Sequence, residues 1–143
     1  MFSIFFKKNY KKLSFEDIQF VLVNKEQFML INTLAIEDQG CLIPTTIEYM
    51  KEEEIINNCI KNYELSAKKI VIYGRNNTDE SIIKKYNQLS DLGFNEIYLY
   101  VGGLFEWLLM QDVYGNEYFP TTRPMLDILK YKPERTFGSR LLL

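Results

Sequence analysis

Short apolar runs alternate with stretches of helical spacing along the chain, and this alternation restricts the fold more than any other feature. The runs at 28–31, 69–73 and 97–101 are almost wholly apolar and are typical of buried strands. Strands separated by helices form β-α-β units whose strands run parallel. The sequence therefore predicts an α/β domain with a mostly parallel sheet and helices on both faces. We predict helices over 15–23, 51–62, 79–91, 104–113 and 123–130, and one more short strand at 47–50.

Local residues mark several of these boundaries. Ser14 and Asp17 have the spacing of an N-cap and its acidic third residue, which predicts the start of the first helix. Thr122 and Pro124 similarly predict the cap and first turn of the last helix. We divide the chain of 143 residues into three parts. These are an N-terminal segment at 1–12, one domain at 13–113, and a C-terminal helical extension and tail at 114–143.

Composition excludes several classes of function. The chain has no histidine, so Ser-His-Asp and Cys-His nucleophile systems are excluded. The net charge of −2 gives no attraction to nucleic acid, and no apolar run approaches the length of a transmembrane helix. The cysteines, Cys41 and Cys59, lack CxxC spacing, so we expect neither a metal site nor a cofactor. Two free thiols favour a reducing compartment, and we predict a cytoplasmic protein.

Sites in parallel α/β sheets lie at the carboxyl ends of the strands, which directs attention to two turns. One is the loop after the strand at 69–73, and the other is the Gly102-Gly103 turn. A cysteine opening the first loop would be an activated nucleophile, but Gly74 stands there instead. Asp79 and Glu80 also place negative charge near the start of the next helix. We therefore favour a structural role for this loop over an anion site.

Several segments, in order, resemble the rhodanese-like superfamily over about residues 13–113. The closing group of motifs, "LGF…VY…GG…W", is the most specific part of the resemblance. The matching segments are Leu13-Ser14, Leu30-Ile31-Asn32, Ile43-Pro44, the run from Ile70 to Arg75, Leu92-Gly93-Phe94, Ile97-Tyr98, Gly102-Gly103 and Trp107. The resemblance implies a three-layer sandwich with a mostly parallel, five-stranded sheet.

The resemblance also implies which functional positions have changed. The family's catalytic cysteine falls on Gly74, its strand-ending aspartate on Asn32, and the second arginine of its active loop on Asp79. Of the family's polar set, only Arg75 is retained. The resemblance thus argues against sulfurtransferase activity and implies a non-catalytic, protein-binding or regulatory domain. Its degenerate loop is Gly74, Arg75, Asn76, Asn77, Thr78 and Asp79. Its candidate binding residues are Asn32, Arg75, Asn76, Asn77, Gly102 and Gly103.

Two other functions stay open. Cys41 could serve as a displaced persulfide carrier in a weak sulfurtransferase, although no basic neighbour in the sequence would lower its pKa. The chain could instead be a structural component of a larger assembly, because it is rich in aromatic residues. We expect a protein partner of unknown identity and allow for a homodimer. Trp107 and Cys59 lie at helical spacing and are expected in the core.

Overall fold

A single parallel sheet organises the chain in the computed structural model, which describes residues 9–138. The strands are β1 (Lys11–Leu13), β2 (Phe28–Asn32), β3 (Lys69–Tyr73) and β4 (Ile97–Tyr100). They pair in the order β1-β4-β3-β2, and every pair is parallel. The predicted α/β class with a parallel sheet is confirmed. Of the N-terminal segment predicted at 1–12, residues 1–8 lie outside the described residues, as does the end of the predicted tail at 139–143.

Within residues 9–138, four α-helices cover the two faces of this sheet. They are α1 (Phe15–Val23), α2 (Tyr49–Lys61), α3 (Ser81–Asp91) and α4 (Gly103–Tyr114). Helices α1 and α4 share one core cluster with Leu30, Val71 and Tyr73 of the strands. Helices α2 and α3 share the other cluster with the alternate strand residues Ile31 and Ile72. Since successive strand side chains point to opposite faces, apolar runs are required wherever both faces are covered.

The prediction of five strands is wrong for the described residues, where the sheet has four. No strand forms at 47–50: Thr46 makes one isolated bridge to Leu30, and α2 begins at Tyr49. Strand β1 crosses the predicted boundary between the N-terminal segment and the domain. Its sequence, Lys-Lys-Leu, lies at a largely exposed sheet edge, so it lacks the apolar run that identified the buried strands.

The helix predicted over 123–130 does not form. Only Ile128–Tyr131 is helical there, as one 3₁₀ turn. Thr122 does not cap a helix, because its amide donates to the Leu42 carbonyl (2.8 Å) and its hydroxyl accepts from the Leu42 amide (3.0 Å). The segment at 116–138 is thus an extended C-terminal arm that pairs with the loop around Leu42. Predicted helix ends elsewhere lie within two residues of the observed ones.

The predicted cap of α1 is present as a complete capping box. The Ser14 hydroxyl accepts from the Asp17 amide, and the Asp17 carboxylate accepts from the Ser14 amide at 2.9 Å. Each residue therefore satisfies a backbone donor at the other, and both help to fix where β1 ends and α1 begins.

We expect Ser14→Ala to lower the free energy of unfolding by about 1 kcal/mol, because it removes the acceptor for an otherwise unpaired amide. Urea denaturation followed by circular dichroism measures this change. Ser14→Thr keeps an acceptor and is the matched control, with a smaller expected loss. Equal losses in the two variants would contradict the capping role.

Candidate functional site

The loop that follows β3 is closed by its own aspartate. Both oxygens of the Asp79 carboxylate accept hydrogen bonds: Oδ2 from the Arg75 amide (2.9 Å), and Oδ1 from the Ser81 amide (3.0 Å) and hydroxyl (2.6 Å). Asp79 therefore binds the first amide of α3, which begins at Ser81 and not at 79 as predicted. The carboxylate takes up donors that a helix start would otherwise offer to an anion.

No space is left for a side chain at Gly74. This glycine is buried at the end of β3. A Cβ atom added to it would lie 2.4 Å from Asp79 Oδ2 and 2.9 Å from Thr33 Oγ1. The space into which a side chain at Gly74 would project is thus filled from the side by a carboxylate. A thiolate there would also face this negative charge, which disfavours ionisation of a thiol.

Asn76 holds the middle of the loop in place. Its Oδ1 accepts from the Thr78 amide (2.9 Å) and hydroxyl (2.7 Å), while its Nδ2 donates to the Tyr131 carbonyl at 2.9 Å. Asn76 is buried, whereas Asn77 and Thr78 are exposed. Among the predicted loop residues, Asn77 and Thr78 are therefore the ones whose side chains face solvent.

Arg75 belongs to a cluster of charges that sequence reasoning did not identify. Its guanidinium donates to Asp38 at 3.1 Å and to the Lys130 carbonyl, and lies over the Tyr131 ring. The ammonium of Lys130 binds the other oxygen of Asp38 at 2.8 Å. Asp38 is buried and accepts from both cations, so its single negative charge partly neutralises Arg75.

The Gly102-Gly103 turn brings the start of α4 into contact with the loop after β3. The amides of Leu104 and Phe105, at the start of α4, donate to the carbonyls of Gly74 (2.9 Å) and Arg75 (2.8 Å). Gly103 has a φ of +69°, and a Cβ atom there would lie 2.8–2.9 Å from backbone atoms of the loop. The turn requires glycine because two backbone segments touch.

Asn32, at the end of β2, is also engaged inside the chain. Its Oδ1 accepts from the Leu34 amide (3.0 Å) and from Gln39 Nε2 (2.8 Å), and its Nδ2 donates to Gln39 Oε1 (3.1 Å). These bonds hold the turn that leads to Asp38. Asn32 thus shapes the same sheet edge as the loop after β3, and its amide is satisfied internally.

Cys41 is buried beneath the C-terminal arm. Its thiol donates to the Arg123 carbonyl at 3.3 Å, and burial raises its pKa. Attack on a sulfur donor needs a thiolate, so this environment disfavours reaction. No group of three or more His, Cys, Asp or Glu side chains that could hold a metal forms within residues 9–138.

An open groove lies beside the loop, between α2 and α3. Its volume is about 640 Å³, and Thr33 and Ser81 line the end nearest Gly74. One wall carries Glu52 and the other Lys85, and these two side chains form an ion pair at 2.5 Å. The groove is therefore bridged by an ion pair, and its lining is both polar and apolar.

Comparison with solved structures identifies the architecture. The rhodanese-like domain of the Anabaena sp. Alr3790 protein is 18% identical, with a TM-score of 0.56 over 94% of this chain and 93% of that chain. The chain has a rhodanese-like fold. The Bacillus halodurans BH2092 protein is 19% identical, with a TM-score of 0.60 over 87% of this chain and 89% of that chain. The single-domain sulfurtransferase RDL2 of Saccharomyces cerevisiae is 14% identical, with a TM-score of 0.50 over 76% of this chain and 96% of that chain.

No protein-family model matches the sequence, and no curated protein matches it. The structural similarities therefore establish the fold. Within residues 9–138, no helix is both long and apolar enough to span a membrane. Gly74 directly follows β3, at the carboxyl edge of the sheet, where the sites of parallel α/β folds lie.

Gly103→Ala should lower the free energy of unfolding by about 3 kcal/mol or more, because strain from a positive φ adds to overlap with the loop backbone. Gly115→Ala is the matched control, since Gly115 also has a positive φ but has open space around an added Cβ. We expect it to cost about 1–3 kcal/mol. Urea denaturation midpoints compare the two variants. Equal losses would show that the contact between the turn and the loop contributes nothing.

Proposed function

We propose that this chain is a catalytically inactive rhodanese-like domain that acts as a protein-binding or regulatory module. The carboxylate of Asp79 is the observation that carries the proposal. It lies where a side chain at Gly74 would project, and it accepts hydrogen bonds from the Arg75 amide and from Ser81. Nucleophilic sulfur transfer at this loop would need both a thiol and free donors.

The charges around the loop support the same conclusion. Thiosulfate is an anion, and the Asp79 carboxylate in the loop would repel it. The one arginine of the loop, Arg75, is paired with the buried carboxylate of Asp38. An anionic sulfur donor would therefore have to displace an internal ion pair and overcome repulsion from a carboxylate.

Exposed apolar side chains support a role in binding. Several large apolar residues near the end of α4 and along the C-terminal arm are more than half exposed: Val113, Tyr114, Tyr118, Leu126, Leu129 and Phe137. Exposed large apolar side chains that form a patch are typical of interaction surfaces. A protein partner, or a second copy in a homodimer, would cover them. Both cysteines are free, which is compatible with a cytoplasmic setting.

A weak sulfurtransferase using Cys41 is the alternative. Its thiolate would attack the outer sulfur of thiosulfate, form a persulfide and release sulfite. Burial of Cys41 and its raised pKa both oppose this step. The alternative therefore requires the C-terminal arm, whose Arg123 carbonyl accepts the thiol hydrogen bond, to move away from Cys41.

Incubation of the purified protein with thiosulfate and a thiol acceptor should release no sulfite above the uncatalysed rate. An active rhodanese in parallel controls the assay. Sulfite release that disappears in a Cys41→Ser variant would overturn the proposal in favour of the alternative.

Restoring a cysteine alone should not restore activity. We expect Gly74→Cys to lower the free energy of unfolding by about 1–3 kcal/mol, because the new side chain overlaps the Asp79 carboxylate. Gly40→Cys is the matched control, because an added Cβ at Gly40 has no neighbour within 4 Å. Sulfite release and urea denaturation measure both effects. Turnover by a stable Gly74→Cys variant would show that the loop is still a working site.

Thiol alkylation tests the accessibility of Cys41 directly. At pH 8, iodoacetamide should modify Cys41 more slowly than Cys59, because Cys41 is buried whereas Cys59 is half-buried on α2. Burial raises the pKa of each thiol and so disfavours the reactive thiolate. Peptide mass spectrometry gives the two rates, and urea should abolish the difference. Modification of Cys41 at its unfolded rate in native buffer would support a reactive thiol.

A further inference from the structure

The C-terminal arm contacts the loop as a bound peptide would. Two successive carbonyls of the arm, those of Lys130 and Tyr131, accept hydrogen bonds from two successive side chains of the loop, Arg75 and Asn76. Recognition of backbone carbonyls does not depend on the side chains of the bound segment, and it is a common way to hold a polypeptide. The loop thus offers a pair of donors matched to one dipeptide.

Side chains of the same dipeptide are recognised as well. The Tyr131 ring is fully buried and lies beneath the Arg75 guanidinium, 5.1 Å from ring centroid to Cζ. The Lys130 ammonium pairs with Asp38 at 2.8 Å. The lysine of the dipeptide therefore pairs with the Asp38 carboxylate, and its tyrosine ring lies in a closed apolar pocket.

The fit of this segment is incomplete. The Tyr131 hydroxyl is buried and has no hydrogen-bond partner in the part of the chain that the structure describes. A buried hydroxyl without a partner opposes binding, so a phenylalanine ring would fill the same pocket without that penalty. Leu129 and Lys132, on either side of the dipeptide, are exposed. The segment is held by one buried ring and a few polar contacts.

We propose that Arg75, Asn76 and Asp38 form a peptide-recognition site, which the chain's own Lys130-Tyr131 segment occupies in cis. The proposal rests on the proposed binding function and names its partner class. The ligand is a polypeptide segment in which an aromatic residue follows a lysine. Phenylalanine is preferred to tyrosine at the aromatic position. Such a segment gains access when it displaces the arm, so the arm is a built-in competitor.

The test uses the full chain carrying Tyr131→Ala, which empties the pocket, and a fluorescent synthetic peptide spanning Leu126 to Glu134. Fluorescence polarisation should show saturable binding about tenfold or more tighter than to the unsubstituted chain, whose arm competes in cis. A peptide with Tyr131→Phe should bind at least as tightly. A peptide with Tyr131→Ala should bind about tenfold or more weakly.

A charge control examines the lysine contact. Adding Asp38→Asn to the protein should weaken binding of the lysine peptide but not of a peptide with Lys130→Gln, because only the former has an ion pair to lose. Circular dichroism and thermal unfolding establish that each protein variant is folded. Tyr131→Leu, which keeps an apolar side chain in the pocket, replaces Tyr131→Ala if the alanine variant does not fold.

Equal binding of the tyrosine and alanine peptides, or no binding by a folded variant, would overturn the recognition site. That result would leave the proposed lack of sulfur transfer unaffected. Sulfite release in the thiosulfate assay would instead overturn the proposed function, whatever the peptides do. The two failures are therefore distinguishable.

Discussion

The carboxylate of Asp79 connects the elements that meet at the carboxyl edge of the sheet. It accepts hydrogen bonds from the Arg75 amide after β3 and from the Ser81 amide, the first of α3. The carbonyls of the same loop, at Gly74 and Arg75, accept from the first amides of α4. Two helix starts and the end of a central strand are thus joined through one loop, whose shape depends on this carboxylate. Loss of this half-buried, multiply bonded carboxylate would leave several donors without their present partner at once.

How much of the fold could be predicted depended on burial. Strands β2, β3 and β4 are covered on both faces, so their residues had to be apolar and the pattern was visible. Strand β1 lies at an edge with two exposed lysines, and its pairing with β4 is a tertiary contact that no local pattern records. Thr122 and Pro124 carried the local signals of a helix start, but the pairing of Thr122 with Leu42 overrode them.

The residues of the candidate site likewise fall into those that local patterns predicted and those that only tertiary contacts bring together. The position of Gly74 followed from a strand pattern and a turn, because parallel sheets place loops of this kind at one edge. The sequence did not identify Asp38 and Tyr131 as part of the site, because both are distant along the chain. Asp38 is 37 residues from its partner Arg75, and Tyr131 is 55 residues from its partner Asn76. Asp38 does follow Asn32 in a polar loop after a buried strand. That placement was the one available sign that another charge lies at this edge.

The residues around the loop are compatible with one another. The absence of a side chain at Gly74 leaves room for Asp79, and a carboxylate at the start of α3 complements the positive end of the helix dipole. Asp38 supplies the counter-charge of Arg75. The loop is thereby satisfied from within, so any ligand of this edge must compete with bonds that the chain already makes. A partner segment that displaces the arm must therefore replace the contacts that Lys130 and Tyr131 make with Asp38, Arg75 and Asn76.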